Sequence, residues 1–425
     1  MRREQNTEEA GRKKNMSSEE DYAEGRKIES DEMRALTYRN RPSLYRGIQQ
    51  LKKSANMLRR RKKFMILIIL AVVVVGCLIY NNMRVFEEYD ILVNEPRSDV
   101  SSTGFAEMDG KLIKYSSDGI IYMNAHQVIW SSAYNIQTPI VDVCEKMIVV
   151  GEQNGSQIYI YDAEKGQVGN FQTLLPIQKV RVASQGVVAA VLEDGEVTWI
   201  NLYDKEGNEI ARHRTSVAES GYPLDIAISP DGLKMVVSFL TMTNGIMTTQ
   251  VVFYNFGVVG QAQTNNQTNS ETYENTIVPK VEYLDDTTAV AFRDNGFTIF
   301  KGKQIQEKKA EVELDQDIVS IFYDSEVLGF VFQSDISNQR YKIQLYNLNG
   351  KKKMEQYINE DFVDIKMNGG KIMLYNSHNF SIYSIHGKKI FEGTYQEPIV
   401  SLMKISGFRK YLVITEKSMD QIRLK

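Results

Sequence analysis

Residues 223–239 read PLDIAISPDGLKMVVSF. A proline opens an alternating apolar run, Asp231-Gly232 turns the chain, and a second β-branched run follows. Proline lacks an N–H to give to a ladder, so it stands at the start of a strand without loss. An Asp-Gly pair between two such runs is a hairpin signal. The stretch therefore reads as two antiparallel strands behind a proline marker.

Working outward, the marker recurs. Pro139, Pro176, Pro223, Pro279 and Pro398 each precede an alternating run, and similar runs without proline begin near Ile318 and Phe362. Start to start, the spacings are 37, 47, 56, 39, 44 and 36 residues. Hairpin-like segments fill the intervals, as in residues 156–167 (SQIYIYDAEKGQ), 341–352 (YKIQLYNLNGKK) and 380–391 (FSIYSIHGKKIF). A repeat near 40 residues with room for four short strands specifies a β-propeller. With a first unit from about Gly104 there are eight blades, seven being the alternative, and the fold class is all-β. The last unit has room for three strands, at residues 399–404, 411–415 and 421–424. A ring with an open edge invites pairing with another chain, so residues 89–93 (YDILV) are expected to supply the fourth strand. The 56-residue spacing is assigned to residues 257–276, a polar, turn-forming insertion expected to be a surface loop or part of a binding rim.

Ahead of the repeat, residues 64–80 (FMILIILAVVVVGCLIY) carry no charge. With residues 81–83 they are expected to form a transmembrane helix. Arg46, Lys52, Lys53, Arg59, Arg60, Arg61, Lys62 and Lys63 precede the run without an acidic residue, and acidic residues follow it. The positive-inside rule then sets a cytoplasmic N-terminus and an extracellular C-terminal domain, a single-pass protein of the cell membrane. The expected organisation is a disordered tail (1–43), a basic juxtamembrane segment (44–63), a transmembrane helix (64–83) and an extracytoplasmic propeller (84–425). Arg59, Arg60, Arg61, Lys62 and Lys63 are placed near anionic lipid. Val74-Val75-Gly76-Cys77 is similar to a lipoprotein cleavage box, although the apolar run continues past Cys77 and an uncleaved anchor is expected.

Charge divides along the same boundary. Through Lys63 there are 18 Lys and Arg against 10 Asp and Glu, and the remainder holds 33 against 44. A surface that acidic argues against nucleic-acid binding. The two cysteines, Cys77 and Cys144, leave no disulfide within the repeat domain.

The stretch 221–239, followed by 252–260 (VFYNFGVVG), resembles the domain-of-unknown-function family numbered 5711, found in Firmicutes. That resemblance implies an N-terminal transmembrane helix followed by a propeller-like domain, and brings no known activity, ligand or catalytic residue. Individual units, such as residues 119–122 leading to 128–130, also resemble repeats of quinoprotein and outer-membrane-assembly propellers. With only Trp130 and Trp199, and no adjacent cysteine pair, quinone binding is not expected.

No catalytic, cofactor or metal residues are assigned. His126, His213, His378 and His386 have no second ligand at metal-binding spacing, and no nucleophile elbow, phosphate loop or dinucleotide fingerprint occurs. Asp118, Asp194 and Asp231 precede glycines as turn residues. Asp142, Asp225 and Asp364 stand at one position of three opening strands, so they either converge in the central channel or cap neighbouring backbone groups. The expected function is a non-enzymatic, membrane-anchored binding or scaffold module whose partner is an envelope protein or cell-wall polymer. A signal-transducing receptor and a carboxylate-dependent hydrolase are the alternatives.

Overall fold

The computed structural model describes residues 52–53, 57, 63–74, 76, 84–99, 102–195, 197–218 and 220–425. The chain divides into two units, residues 1–84 and 85–425. The expected tail (1–43), Arg59–Lys62 and Cys77 lie outside the described residues.

The transmembrane helix expected over residues 64–83 is corrected: among the described residues no helix is long and apolar enough to cross a membrane. The single-pass topology, the cytoplasmic and extracellular sides and the membrane-anchored role expected above rested on that span, and are withdrawn with it.

Residues 85–425 form eight four-stranded antiparallel sheets. Seven are simple meanders: residues 104–133, 139–172, 177–216, 222–274, 280–313, 318–358 and 364–394, numbered here as the first to seventh blades. The eighth joins Ile399–Lys404, Lys410–Thr415 and Ser418–Leu424 to Tyr89–Pro96 from the start of the unit. Tyr89 pairs with Leu424 and Pro96 with Ser418, so the two ends of this unit close the ring and remove its free edge. Phe86, 2% exposed, continues the seam by bridging to Phe391 of the seventh blade.

Sequence pattern follows position in the blade. Second strands are covered by neighbouring blades on both faces, so they read as nearly continuous apolar runs: Val327–Gln333 is VLGFVFQ, with all but Gln333 buried. Outer strands keep one wet face and alternate, as Glu307–Glu313 (EKKAEVE) does. The core lies between blades. Ile226, Met235 and Val237 of the fourth pack on Ala189, Val191 and Ile200 of the third. Phe297 of the fifth stacks on Phe330 of the sixth at 4.9 Å between ring centroids, with Tyr346 edge-on. Inner hairpins turn tightly: Asp109 and Gly110 both have positive φ (52° and 69°), the type I′ geometry that matches strand twist.

The insertion is also corrected. Only residues 257–266 leave the sheet, as a short helix (Val258–Gln261) and a 3-10 turn (Thr264–Asn266). Gln267–Glu274 (QTNSETYE) is the fourth blade's outer strand, paired along Ile246–Asn255. An outer strand needs few apolar residues, and Tyr273 alone of these eight is buried.

Candidate functional site

Eight inner strands surround the propeller axis. Each begins on one face, called upper here, which also carries the inter-blade connections. Two clusters of charge occupy the wall they form.

The first spans the second to sixth blades. Arg181, two residues beyond Lys179 on the third blade's inner strand, places Nη2 3.3 Å from Asp225 and Nη1 3.7 Å from Asp142. Its Nε donates to the Ile226 carbonyl at 3.0 Å. Lys179 adds a second cation to Asp225 at 3.0 Å. The remaining carboxylate oxygens accept from the next blade's backbone: Asp142 from Val182 N–H at 2.8 Å, Asp225 from Val281 N–H at 3.1 Å. Glu282 pairs with Lys280 at 3.2 Å and accepts from the Tyr323 hydroxyl at 2.6 Å. Burial pushes the Asp142 carboxyl up to about 6, against the pull of Arg181. Burial lowers Arg181, but Asp142, Asp225 and Glu282 outweigh it and hold the guanidinium above its usual range.

The second cluster spans the seventh, eighth and first blades. Asp364 accepts from the Tyr375 hydroxyl at 3.1 Å and faces Lys366 electrostatically. Of the three aspartates singled out by position, the structure brings Asp142 and Asp225 together on Arg181 and sets Asp364 apart. Asp142 and Asp225 each also cap a backbone N–H of the next blade, Val182 and Val281. The cations that organise them went unassigned. Their signal is the Lys179-Val180-Arg181 alternation, which puts two basic side chains on one face of an inner strand.

The upper mouth of the channel has a different character. Four inner strands slip register at their start, between Ile177 and Lys179, Pro223 and Asp225, Ile318 and Ser320, and Ile399 and Ser401. Each slip is a bulge that takes one residue out of the ladder: Gln178, Leu224, Val319 and Val400. Bulges re-aim side chains and concentrate near functional sites. Val319 and Val400 are 43% and 41% exposed, and Val363, beside the seventh blade's inner strand, is 76% exposed. Three adjacent blades thus present apolar side chains at the mouth, with Ile336 exposed on the loop beside them.

Acidic loops flank this patch. Among the described residues of these loops the Lys and Arg side chains are Arg97, which pairs with Asp99 at 3.0 Å, Arg340, which pairs with Asp361, and Lys417, which pairs with Glu397 at 2.8 Å. Asp315, Asp317, Asp335 and Glu416 form no ion pair among the described residues. A groove of ≈ 660 Å³ opens alongside, between the sixth and seventh blades, past Arg340, Glu360, Asp361, Tyr383 and Lys389. Lys389 and Tyr383 bind Glu360 at 2.6 and 2.7 Å and hold its carboxyl below the usual range despite burial. Among the described residues no group of three or more His, Cys, Asp or Glu side chains is placed to hold a metal ion.

A family profile covers residues 82–424, nearly the whole propeller unit. The chain belongs to the DUF5711 family, a family of unknown function. No curated protein matches it. Among solved structures, the chain is similar to BamB from Moraxella catarrhalis, with 10% identity over 79% of this chain and 100% of that one and a TM-score of 0.49. Hydrazine synthase of Kuenenia stuttgartiensis matches at 12% identity over 69% and 98%, with a TM-score of 0.45. Hsv2 of Kluyvelomyces marxianus matches at 14% over 65% and 88%, with a TM-score of 0.42. Nothing about activity passes from these three to this chain.

Proposed function

We propose that the propeller is a non-enzymatic protein-binding module whose upper face, on the sixth to eighth blades, receives a basic segment of a partner protein. The observation that carries this is the row of exposed Val319, Val363 and Val400 at the channel mouth. An apolar centre with a polar rim is the usual anatomy of a protein interface. The partner's charge follows from the rim: Asp315, Asp317, Asp335 and Glu416 have no cation of their own, so a Lys- or Arg-bearing segment complements them. The channel carboxylates support a binding role over a hydrolytic one, because Asp142, Asp225 and Glu282 are each engaged by a cation and a hydrogen-bond donor.

The test is in-cell photocrosslinking of the full-length protein from position 363, with the captured peptide sequenced by mass spectrometry. A partner lost when Val319→Ser/Val400→Ser is introduced beside the crosslinker at 363, and crosslinked through a Lys- or Arg-rich peptide, is the expected result. Equal capture by that variant overturns the placement. Capture through an acidic or uncharged peptide overturns the partner's chemistry.

A further inference from the structure

At the opposite, lower end of the channel, a cavity of ≈ 340 Å³ lies among the inner strands of the seventh, eighth and first blades. Its charged lining is of both signs. Glu107, on the first blade, accepts a hydrogen bond from Asn368 Nδ2 of the seventh. Lys366 gives its ammonium to Ser401 Oγ at 3.3 Å and lies over the Tyr375 ring. Asn368 and Ser401 are thus the hydrogen-bond partners of the two charges, and among the described residues neither Glu107 nor Lys366 forms an ion pair. Lys404 is spent on the Ile405 and Gly407 carbonyls, at 2.6 and 2.9 Å. Phe105, Met367 and Met403 supply an apolar wall.

Desolvated charges of opposite sign normally pair when they can. Here burial raises the Glu107 carboxyl, and it lowers the Lys366 ammonium despite nearby Asp364 and Glu107. No close ion pair offsets the desolvation of either group, and both line the same cavity. A neutral molecule bearing both an anion and a cation fills that space without adding net charge. The volume is near the small end of ligand pockets, about 300–1,000 Å³, which suits a small molecule and not a chain segment.

We propose that this cavity binds a free α-amino acid with an apolar side chain: Lys366 takes its carboxylate, Glu107 its ammonium, and Phe105 and Met367 its side chain. The site is separate from the upper face, and its success or failure leaves the partner surface untouched.

The experiment is isothermal titration of the full-length protein with L-leucine, L-methionine and L-phenylalanine. Leucine's two analogues, one lacking the carboxylate and one lacking the amine, are titrated alongside. Saturable binding of at least one amino acid is expected, with both analogues weaker than leucine by at least about tenfold, since each loses one charge-assisted contact. Lys366→Met and Glu107→Gln are each expected to weaken the amino acid by a similar factor, with unchanged circular dichroism. The analogue comparison uses the native protein, so it stands even where a variant misfolds. Absence of heat up to millimolar concentration of all three amino acids overturns the proposal, as does equal binding of either analogue.

Discussion

Replacing Asp142 with Asn should stabilise the protein at pH 8 and leave it unchanged at pH 4. Asp142 sits beside Arg181, and a pairwise reading of the contact would forecast a loss. The sign follows from its carboxyl, which burial raises to about 6 in the folded protein from about 3.9 in the unfolded chain. Between those values the folded state binds more protons, so its stability falls as pH rises through the window, and the full cost is present above it. Two pH units correspond to about 2.7 kcal/mol. The side chain keeps 24% exposure, and solvent screening reduces the figure to about 1–2 kcal/mol. Asn carries no charge, retains an oxygen for the Val182 N–H, and escapes this cost. With a urea slope of about 3 kcal/mol/M, the midpoint of Asp142→Asn should rise by about 0.5 M at pH 8. Urea denaturation of both proteins at the two pH values isolates this carboxyl from all others. A variant less stable than the native protein at pH 8 would refute the reasoning, because the Arg181 contact would then exceed the desolvation it offsets.

Three further outcomes follow from the seam, a buried ion pair and the acidic rim. Phe86→Ala should cost about 3–4 kcal/mol in urea denaturation, because the ring is buried where the first residues of the unit meet the seventh blade. Asp231→Ala should cost about 3 kcal/mol by the same assay, since it strands the Lys234 ammonium, 2% exposed and held at 2.5 Å; Lys234→Met/Asp231→Ala together should recover most of that loss. In the photocrosslinking assay, Asp315→Asn/Asp317→Asn/Asp335→Asn/Glu416→Gln should reduce partner capture while leaving the free energy of unfolding within about 0.5 kcal/mol of native, as exposed loop charges do.

Blade number, leading prolines and ring closure were legible because they are local: an alternating run, a turn and a proline are each written in consecutive residues. The closing strand was legible by subtraction, the last unit being one strand short. The outer strand Gln267–Glu274 was hidden by the same logic, since its Asn, Thr and Ser residues match a loop's composition and only its pairing with Ile246–Asn255 makes it a strand. The apolar run at 64–80 spoke for a spanning helix, and among the described residues no helix of that length is present. The bulges were unreadable for a related reason. Val319 and Val400 look like ordinary strand residues, and a register slip against the neighbouring strand turns them to the mouth.

The same limit separates the two halves of the channel wall. Position alone makes Asp142, Asp225 and Asp364 equivalent, yet their chemistry depends on the sign carried by the next inner strand. Where Lys179 and Arg181 stand between Asp142 and Asp225, the charges meet and close on one another, and the wall there is a staple between blades. Beyond Asp364 the next inner strand offers Ser401, a neutral hydroxyl, and the cation is Asp364's own neighbour Lys366. The complementary carboxylate, Glu107, belongs to the first blade and is held by Asn368 of the seventh. Neutral residues at the positions of Lys179 and Arg181 therefore leave Lys366 and Glu107 without an ion pair in the wall of a cavity. Ser401→Asp tests that step: an added carboxylate beside Lys366 should pair with it, raise the urea midpoint and abolish amino-acid binding. An unchanged binding isotherm would show that Lys366 is not the group that meets the ligand.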